Sequence, residues 1–393
     1  MQKTRWGLVF LLICAGVIAA FQVGKAAIAV PALRADLDIS LVFASWIVGA
    51  LGALGAIVGV PAGLTFSRLP PRRMILIGLT ALGIGSIAGS FAGSGTLLLI
   101  SRVVEGFGFI CTILSTPRMF ALVTAPRDTP LSFALWGCYM PAGSAVMMLA
   151  GPAFIASFGW QGLWLFNGIL PLAYAVLLAR LDIPGADSVQ QSQRTLLDDL
   201  REGFRTPGPA LVGLAFGLYT FQYFALASLF PTLLVDRLGL SIGAAGLISA
   251  GTVLANGAGN LAAGFFVRLG TPLWVILVVG YFATAILSFG VFNAAMPVAG
   301  VAIFAAVSLA ITGLIPASLF AAAPTIGTTP ALLGITLGLT TQIGVSGQLF
   351  GPTVLAAFVE RYDWSYAPVV FVAVMLAGTT IALMLCAVLR KRG

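Results

Sequence analysis

The sequence contains no histidine, and charged residues make up only 8% of its 393 positions. The missing histidine removes the commonest metal ligand and general base, so any proton chemistry must fall to carboxylates or water. The scarcity of charge excludes an ordinary soluble domain, which carries about 25% charged residues. Cysteine is scarce too. Cys14, Cys111, Cys138 and Cys386 all lie inside apolar runs and read as small packing residues, not as a disulfide framework or metal site. No nucleotide-binding loop and no nucleophilic triad appears; the Gly-Phe-Gly at 106–108 lies within an apolar helix. The chain is therefore not expected to be an enzyme, and no cofactor or metal is expected.

What is present is apolar surface, with 60% of residues hydrophobic. Lipid is the natural solvent for such a chain, and only helices or closed barrels satisfy the backbone there. The runs are long and continuous, which favours helices over a barrel of short alternating strands. Breaks at proline, glycine and charged clusters divide the chain into runs at 7–30, 41–66, 74–93, 96–123, 130–157, 161–180, 208–234, 241–267, 272–292, 297–322, 329–359 and 364–389. These predict twelve transmembrane helices in an all-α membrane protein. The first run is longer than a signal-peptide core and reads as the first spanning helix.

An even count of helices puts both termini on one side. With the N-terminus inside, the inner segments hold Lys3, Arg5, Arg68, Arg72, Arg73, Arg127, Arg180, Arg194, Arg201, Arg205, Arg268, Arg390, Lys391 and Arg392, and the outer loops only Arg34, Arg237 and Arg361. That asymmetry predicts cytoplasmic termini. The net charge of +8 comes from these short loops and does not indicate a nucleic-acid partner. Short loops suit a bacterial inner membrane.

The sequence repeats itself at an offset of about 200 residues. Phe21-Gln22, Pro31 and Asp36 recur as Phe221-Gln222, Pro231 and Asp236; Ala62-Gly63 and Arg68-Leu69 recur as Ala263-Gly264 and Arg268-Leu269; Gly151-Pro152, Ala156, Phe158 and Trp160 recur as Gly351-Pro352, Ala356, Phe358 and Trp364. Copies six helices apart run the same way through the membrane. The expected organisation is a six-helix bundle at 1–180, a cytoplasmic linker at 181–207 with a short surface helix, and a second six-helix bundle at 208–393.

This pattern resembles the major facilitator superfamily. The loop Ala62-Gly63-Leu64-Thr65-Phe66-Ser67-Arg68-Leu69-Pro70-Pro71-Arg72-Arg73 is similar to that family's basic motif, with Ser67 and Pro70 in place of its usual acid and glycine. Arg102, Glu105 and Gly106 are similar to its helix-four motif, with Glu105 where glutamine is usual. Gly151-Pro152 lacks the flanking glycines of the drug/proton antiporters, whereas Trp136 to Gly143 and Gln348 to Pro352 look more like the cyanate and nitroimidazole transporter branch. The resemblance implies two bundles in pseudo-two-fold relation, alternating access, and a substrate site between the halves at the midplane.

Ionisable residues at bilayer depth are costly and mark candidate functional positions. Lys25 shares a face of helix one with Gln22, and Arg102 shares a face of helix four with Glu105. In the resembled family these helices line one cavity, so the three charges can form one cluster. A static Arg102–Glu105 brace and a proton-carrying Glu105 are both compatible with the sequence. Candidate cavity residues are Gln22, Lys25, Arg102, Tyr139, Gln222, Tyr223, Asn256 and Gln342, with Glu105 for proton coupling and Arg68, Arg72 and Arg118 for gating. Two or three cations against one carboxylate suit an anionic organic solute, carried by a monomer in the bilayer with protons as the candidate coupling ion. The alternatives are a proton-linked exporter of lipophilic compounds and a receptor-like protein that completes no transport cycle.

Overall fold

The computed structural model describes residues 3–59, 69–183, 185–187, 207–326 and 330–390. The linker helix expected at 196–202, and Arg68, lie outside these residues. Among the described residues the regular structure is entirely helical. The helices are α1 (Trp6–Leu37), α2 (Leu41–Gly49), α3 (Pro71–Ser90), α4 (Gly95–Val123), α5 (Thr129–Gly137), α6 (Tyr139–Ala179), α7 (Pro207–Asp236), α8 (Ile242–Arg268), α9 (Leu273–Val291), α10 (Val298–Thr312), α11 (Leu314–Ile326), α12 (Pro330–Tyr362) and α13 (Pro368–Arg390). A 3₁₀ turn at Ala50–Gly52 continues α2 in helical form to Gly59.

Polar caps set several starts. The hydroxyls of Ser40, Ser94 and Ser241 accept from the amides of Phe43, Leu97 and Ala244, satisfying donors that the first helical turn leaves free. Pro71 opens α3, where its missing N–H costs nothing.

Among the described residues, eleven helical stretches are long and apolar enough to cross a membrane. One of them, Leu131–Ala179, has 49 residues. At about 1.5 Å per residue it is more than twice the ~30 Å of a hydrocarbon core. It breaks at Gly159, whose φ of 68° and ψ of 176° are open to glycine and costly for other residues. The two sides of this break match the runs expected at 130–157 and 161–180, so eleven stretches make twelve crossings. The stretches Leu131–Ala179 and Val298–Ala323 run through Cys138 and Gly313. Each is a single turn residue, Cys138 between α5 and α6 and Gly313 between α10 and α11, and each keeps right-handed helical φ/ψ.

The chain forms two compact units. The first comprises Met1–Leu54 and Pro61–Ser192, the second Gly55–Val60 and Gln193–Gly393. In the first, α1 packs on α6, and α3 on α4 and α6; in the second, α7 packs on α12, and α9 on α10 and α13. The repeat is visible in the backbone. The turn before Trp160 is made by Gly159, and the turn before Trp364 by Asp363, at φ 78° and ψ 162°. Asp363 is held there by its carboxylate, which accepts from the amide and hydroxyl of Ser365. The corresponding end of the first unit is tied by Asp36, which accepts from the Trp160 indole at 2.7 Å and from Gln161 at 3.1 Å.

A buried charge cluster in the first unit

Lys25 sits in the middle of α1, and Arg102 and Glu105 lie one turn apart on α4. All three side chains are 0% exposed. Lys25 Nζ donates to Glu105 Oε1 at 3.1 Å and to Ser86 Oγ of α3 at 2.6 Å, and lies 4.6 Å from the Trp164 ring centroid of α6. Arg102 Nη1 donates to Glu105 Oε2. Its Nε donates to the Ile47 carbonyl at 3.0 Å and its Nη2 to the Gln22 carbonyl at 2.9 Å. The Ser86 hydroxyl donates to the Trp164 carbonyl at 2.7 Å. One carboxylate therefore holds two cations from different helices, and the formal charge of the cluster is +1.

Close backbone approach makes room for these side chains. A Cβ on Gly85 of α3 would stand 2.9 Å from Glu105 Cγ, and one on Gly106 would stand 2.6 Å from the Leu51 carbonyl. The 3₁₀ turn after α2 is thereby seated against α4 directly beside Glu105.

Such a cluster is not what stability alone favours. The low dielectric strengthens each pairing, but desolvating three charges offsets the gain, and apolar replacements of buried ion pairs are often neutral or stabilising. An unbalanced charge makes the offset worse. The arrangement instead provides a carboxylate whose protonation would leave two cations facing each other without a counter-charge.

The first unit's cluster takes in four of the sequence-nominated residues, Gln22, Lys25, Arg102 and Glu105. Three further members, Ser86, Trp164 and Asn167, come into view only in the structure. Gln22 Nε2 donates to the Asn167 carbonyl at 3.0 Å. Asn167 in turn gives its amide protons to the Leu163 carbonyl at 2.9 Å and Met147 Sδ at 3.4 Å. A polar Asn167 within an apolar run was the one available signal; Ser86 looks like any small packing residue. Tyr139 is apart from the cluster, stacked on Trp136 at 4.3 Å against Gly16 of α1. Arg72 braces α3 to the end of α6, with bonds to the Ala179 and Leu181 carbonyls at 2.7 and 2.8 Å and an ion pair to Asp187 at 3.1 Å. Arg118 donates to the Leu69 carbonyl at 3.2 Å.

The second unit has an uncharged counterpart. Tyr219 donates to Asn256 Oδ1 at 3.3 Å, Asn260 donates to the same oxygen at 3.2 Å, and Asn256 Nδ2 donates to the Leu309 carbonyl at 2.9 Å. Tyr223 stacks on Tyr219 at 5.9 Å. Gln222 is buried nearby in sequence, and neither end of its amide meets a partner among the described residues. Gln342 lies elsewhere, donating to the Ala56 carbonyl at 3.0 Å.

Residues 12–346 match the family model described as Major Facilitator Superfamily. Among curated proteins, the chain is 28% identical over 158 residues to an uncharacterized MFS-type transporter, Rv1250, of Mycobacterium tuberculosis, covering 39% of this chain and 27% of that one. It is 26% identical to the tetracenomycin C resistance and export protein of Streptomyces glaucescens, covering 40% and 29%. It is 30% identical to the multidrug efflux pump LfrA of Mycolicibacterium smegmatis, covering 39% and 31%. The matches span about a third or less of the length of these three relatives. Solved structures share the fold over nearly the whole chain. A bacterial homologue of the human lysosomal transporter Spinster, inward-facing and occupied, superposes with a TM-score of 0.76 at 14% identity, covering 100% of this chain and 97% of that one. A D-xylose-proton symporter does so with 0.75 at 14%, covering 98% and 97%.

Proposed function

We propose that this chain, which belongs to the Major Facilitator Superfamily, is a secondary active transporter that moves a small organic anion by alternating access, with protons coupled through Glu105. In this reading it is a multi-pass protein of a bacterial inner membrane, acts as a monomer, is not an enzyme, and has both termini in the cytoplasm. Residues 1–180 and 208–393 are its two bundles and 181–207 the linker.

One observation carries the reading: a sealed carboxylate paired with two cations, found among the described residues in one of the two units. Protonating Glu105 releases positive charge that an anion can then satisfy, and arginine grips carboxylates bidentately. Proton and anion would therefore be taken up together, which is the logic of a symporter. Gln22, Tyr139, Gln222, Tyr223, Asn256 and Gln342 are the proposed contacts to the rest of the substrate, and Arg68, Arg72 and Arg118 the proposed gating residues.

The test begins with a thermal-shift screen of small organic anions on purified protein, followed by liposome transport of any stabilising compound. Glu105→Gln is expected to abolish accumulation driven by a pH gradient while exchange persists. Unchanged pH-driven uptake in that variant removes Glu105 from the mechanism. Neutralising Lys25 and Arg102 to Gln or Met is expected to weaken counterflow of the anion; full counterflow at normal affinity in both removes the anion reading.

A second reading has its own support. The similar curated proteins include export and resistance proteins, so export of lipophilic compounds in exchange for protons is the competing assignment. Puromycin and methyl viologen, which appear in the names of two further relatives, serve as probes. Stabilisation by these and not by anions favours export. Binding without transport of either class indicates a receptor-like protein.

A further inference from the structure

Beside the charge cluster lie two buried carbonyl oxygens with nothing to accept. Gln22 Oε1 and Asn167 Oδ1 have no hydrogen-bond partner among the described residues, and both side chains are 0% exposed. The orientation of each amide is fixed by its nitrogen. Gln22 Nε2 faces the Asn167 carbonyl, and Asn167 Nδ2 faces the Leu163 carbonyl. Turning either amide over would set oxygen against oxygen. A buried unmet acceptor is costly, so two side by side in the same ladder call for a donor.

The donor available is one helical turn away. On α1, Gln22 and Lys25 are three residues apart, and on α6, Trp164 and Asn167 are three residues apart, so both pairs share a face. Gln22 meets Asn167, and Lys25 lies over Trp164. The two helices thus form a two-rung ladder, with the ammonium on one rung and the empty oxygens on the other. Long side chains on a helix lean back toward its N-terminus, which for Lys25 is the direction of Gln22. One turn, about 5 Å, is within reach of four methylenes. Of the ammonium's three protons, two are given to Glu105 and Ser86.

We propose that Gln22 Oε1 and Asn167 Oδ1 form a second seat for the Lys25 ammonium, taken when Glu105 accepts a proton. The inference rests on the reading of Glu105 as the coupling carboxylate. The charged groups facing Lys25 are Glu105 and Arg102 of α4; Ser86 of α3 and Trp164 of α6 are neutral. With Glu105 neutral, Arg102 repels Lys25 with no charge between them, and two carbonyls one turn away offer two unfilled acceptors for the ammonium. Lys25 is then the moving charge, Arg102 the stationary one, and Asn167 a positioning residue.

The chain has three lysines, Lys3, Lys25 and Lys391, and four asparagines, Asn167, Asn256, Asn260 and Asn293. Full-length protein in lipid vesicles, labelled with ¹⁵Nζ-lysine and ¹³Cγ-asparagine, therefore gives few signals. Lys25 is assigned by its disappearance in Lys25→Met. At neutral pH the wild type is expected to show no dipolar contact from Lys25 to asparagine. In Glu105→Gln, and in wild type acidified until Glu105 is protonated, a contact of about 4 Å is expected, and Asn167→Leu is expected to remove it. A Lys25 nitrogen that stays in place under both conditions overturns the second seat, as does a contact already present at neutral pH. The acidified wild type keeps the test open if Glu105→Gln does not fold. A stationary Lys25 in a protein whose pH-driven uptake depends on Glu105 removes the seat alone. Uptake indifferent to Glu105 removes the seat and the coupling reading together.

Discussion

Deleting Glu105, Arg102 or Lys25 does not leave the same residue of charge behind. Glu105→Gln leaves two enclosed cations facing each other. Arg102→Met leaves Lys25 paired with Glu105 but removes the side-chain bonds to the carbonyls of Ile47 and Gln22. Lys25→Met leaves a balanced Arg102–Glu105 pair and orphans little. Removing a partner from a buried ion pair typically costs about 3–5 kcal/mol. The expected order of destabilisation is therefore Glu105→Gln at about 3–5 kcal/mol, Arg102→Met below it, and Lys25→Met at about 1 kcal/mol, read from thermal unfolding in detergent. Equal losses for all three would mean that the cluster does not behave as a carboxylate shared by two cations. The three charges were legible in the sequence because an ionisable residue stands out within an apolar run. Their uncharged supports were not. Ser86 and Trp164 matter through one hydroxyl and one ring face, and nothing in their spacing distinguishes them from packing residues.

At the scale of elements, α3 and α4 are held close by glycine. A Cβ on Gly108 would meet the Gly78 carbonyl and stand 2.6 Å from the Leu82 amide, so the nearest atoms are backbone and cannot swing aside. Gly108→Ala is expected to force the helices apart at a cost of about 1–3 kcal/mol. Gly85→Ala pushes directly on Glu105 Cγ, and is expected to disturb proton coupling as well as stability. Gly251 of α8 has nothing within 4 Å of its would-be Cβ. Gly251→Ala is therefore expected to be neutral or up to about 1 kcal/mol stabilising, because alanine loses less backbone freedom in a helix. A series of thermal-unfolding curves separates the three; a harmless Gly108→Ala would contradict the close approach. The crossings themselves were legible from hydrophobic runs, down to the break near 159. The helix boundaries at Cys138 and Gly313 were not, because a single turn residue that keeps right-handed helical φ/ψ inside an apolar stretch leaves the hydrophobic pattern intact.

At the scale of the whole chain, the repeat supplies two copies of a scaffold and, among the described residues, one buried charge cluster. Position 225 is the repeat partner of Lys25, and it is Ala225, fully buried. It lines a small cavity together with Leu226, Leu229, Phe230, Leu233, Phe292, Leu355 and Trp364, and none of these lining residues carries a carboxylate or a hydroxyl. The duplication was readable at this position, but its consequence depends on neighbours brought from α12 and the turn before α13, which no offset within the sequence reveals. If the surroundings decide where a buried cation is tolerated, Ala225→Lys places an unpartnered ammonium in a hydrocarbon lining and is expected to cost about 3 kcal/mol or more. Ala225→Val adds bulk without charge and is expected to cost about 1–3 kcal/mol by overpacking alone. Adding Leu229→Glu, one turn further along α7, supplies a counter-charge and is expected to restore part of the stability lost in Ala225→Lys. Recovery measured by unfolding in detergent would show that a missing carboxylate, and not the length of the lysine, is what excludes charge from the second unit. No recovery, with Ala225→Val equally damaging, would show that the second unit excludes lysine by volume and that the asymmetry between the halves is steric.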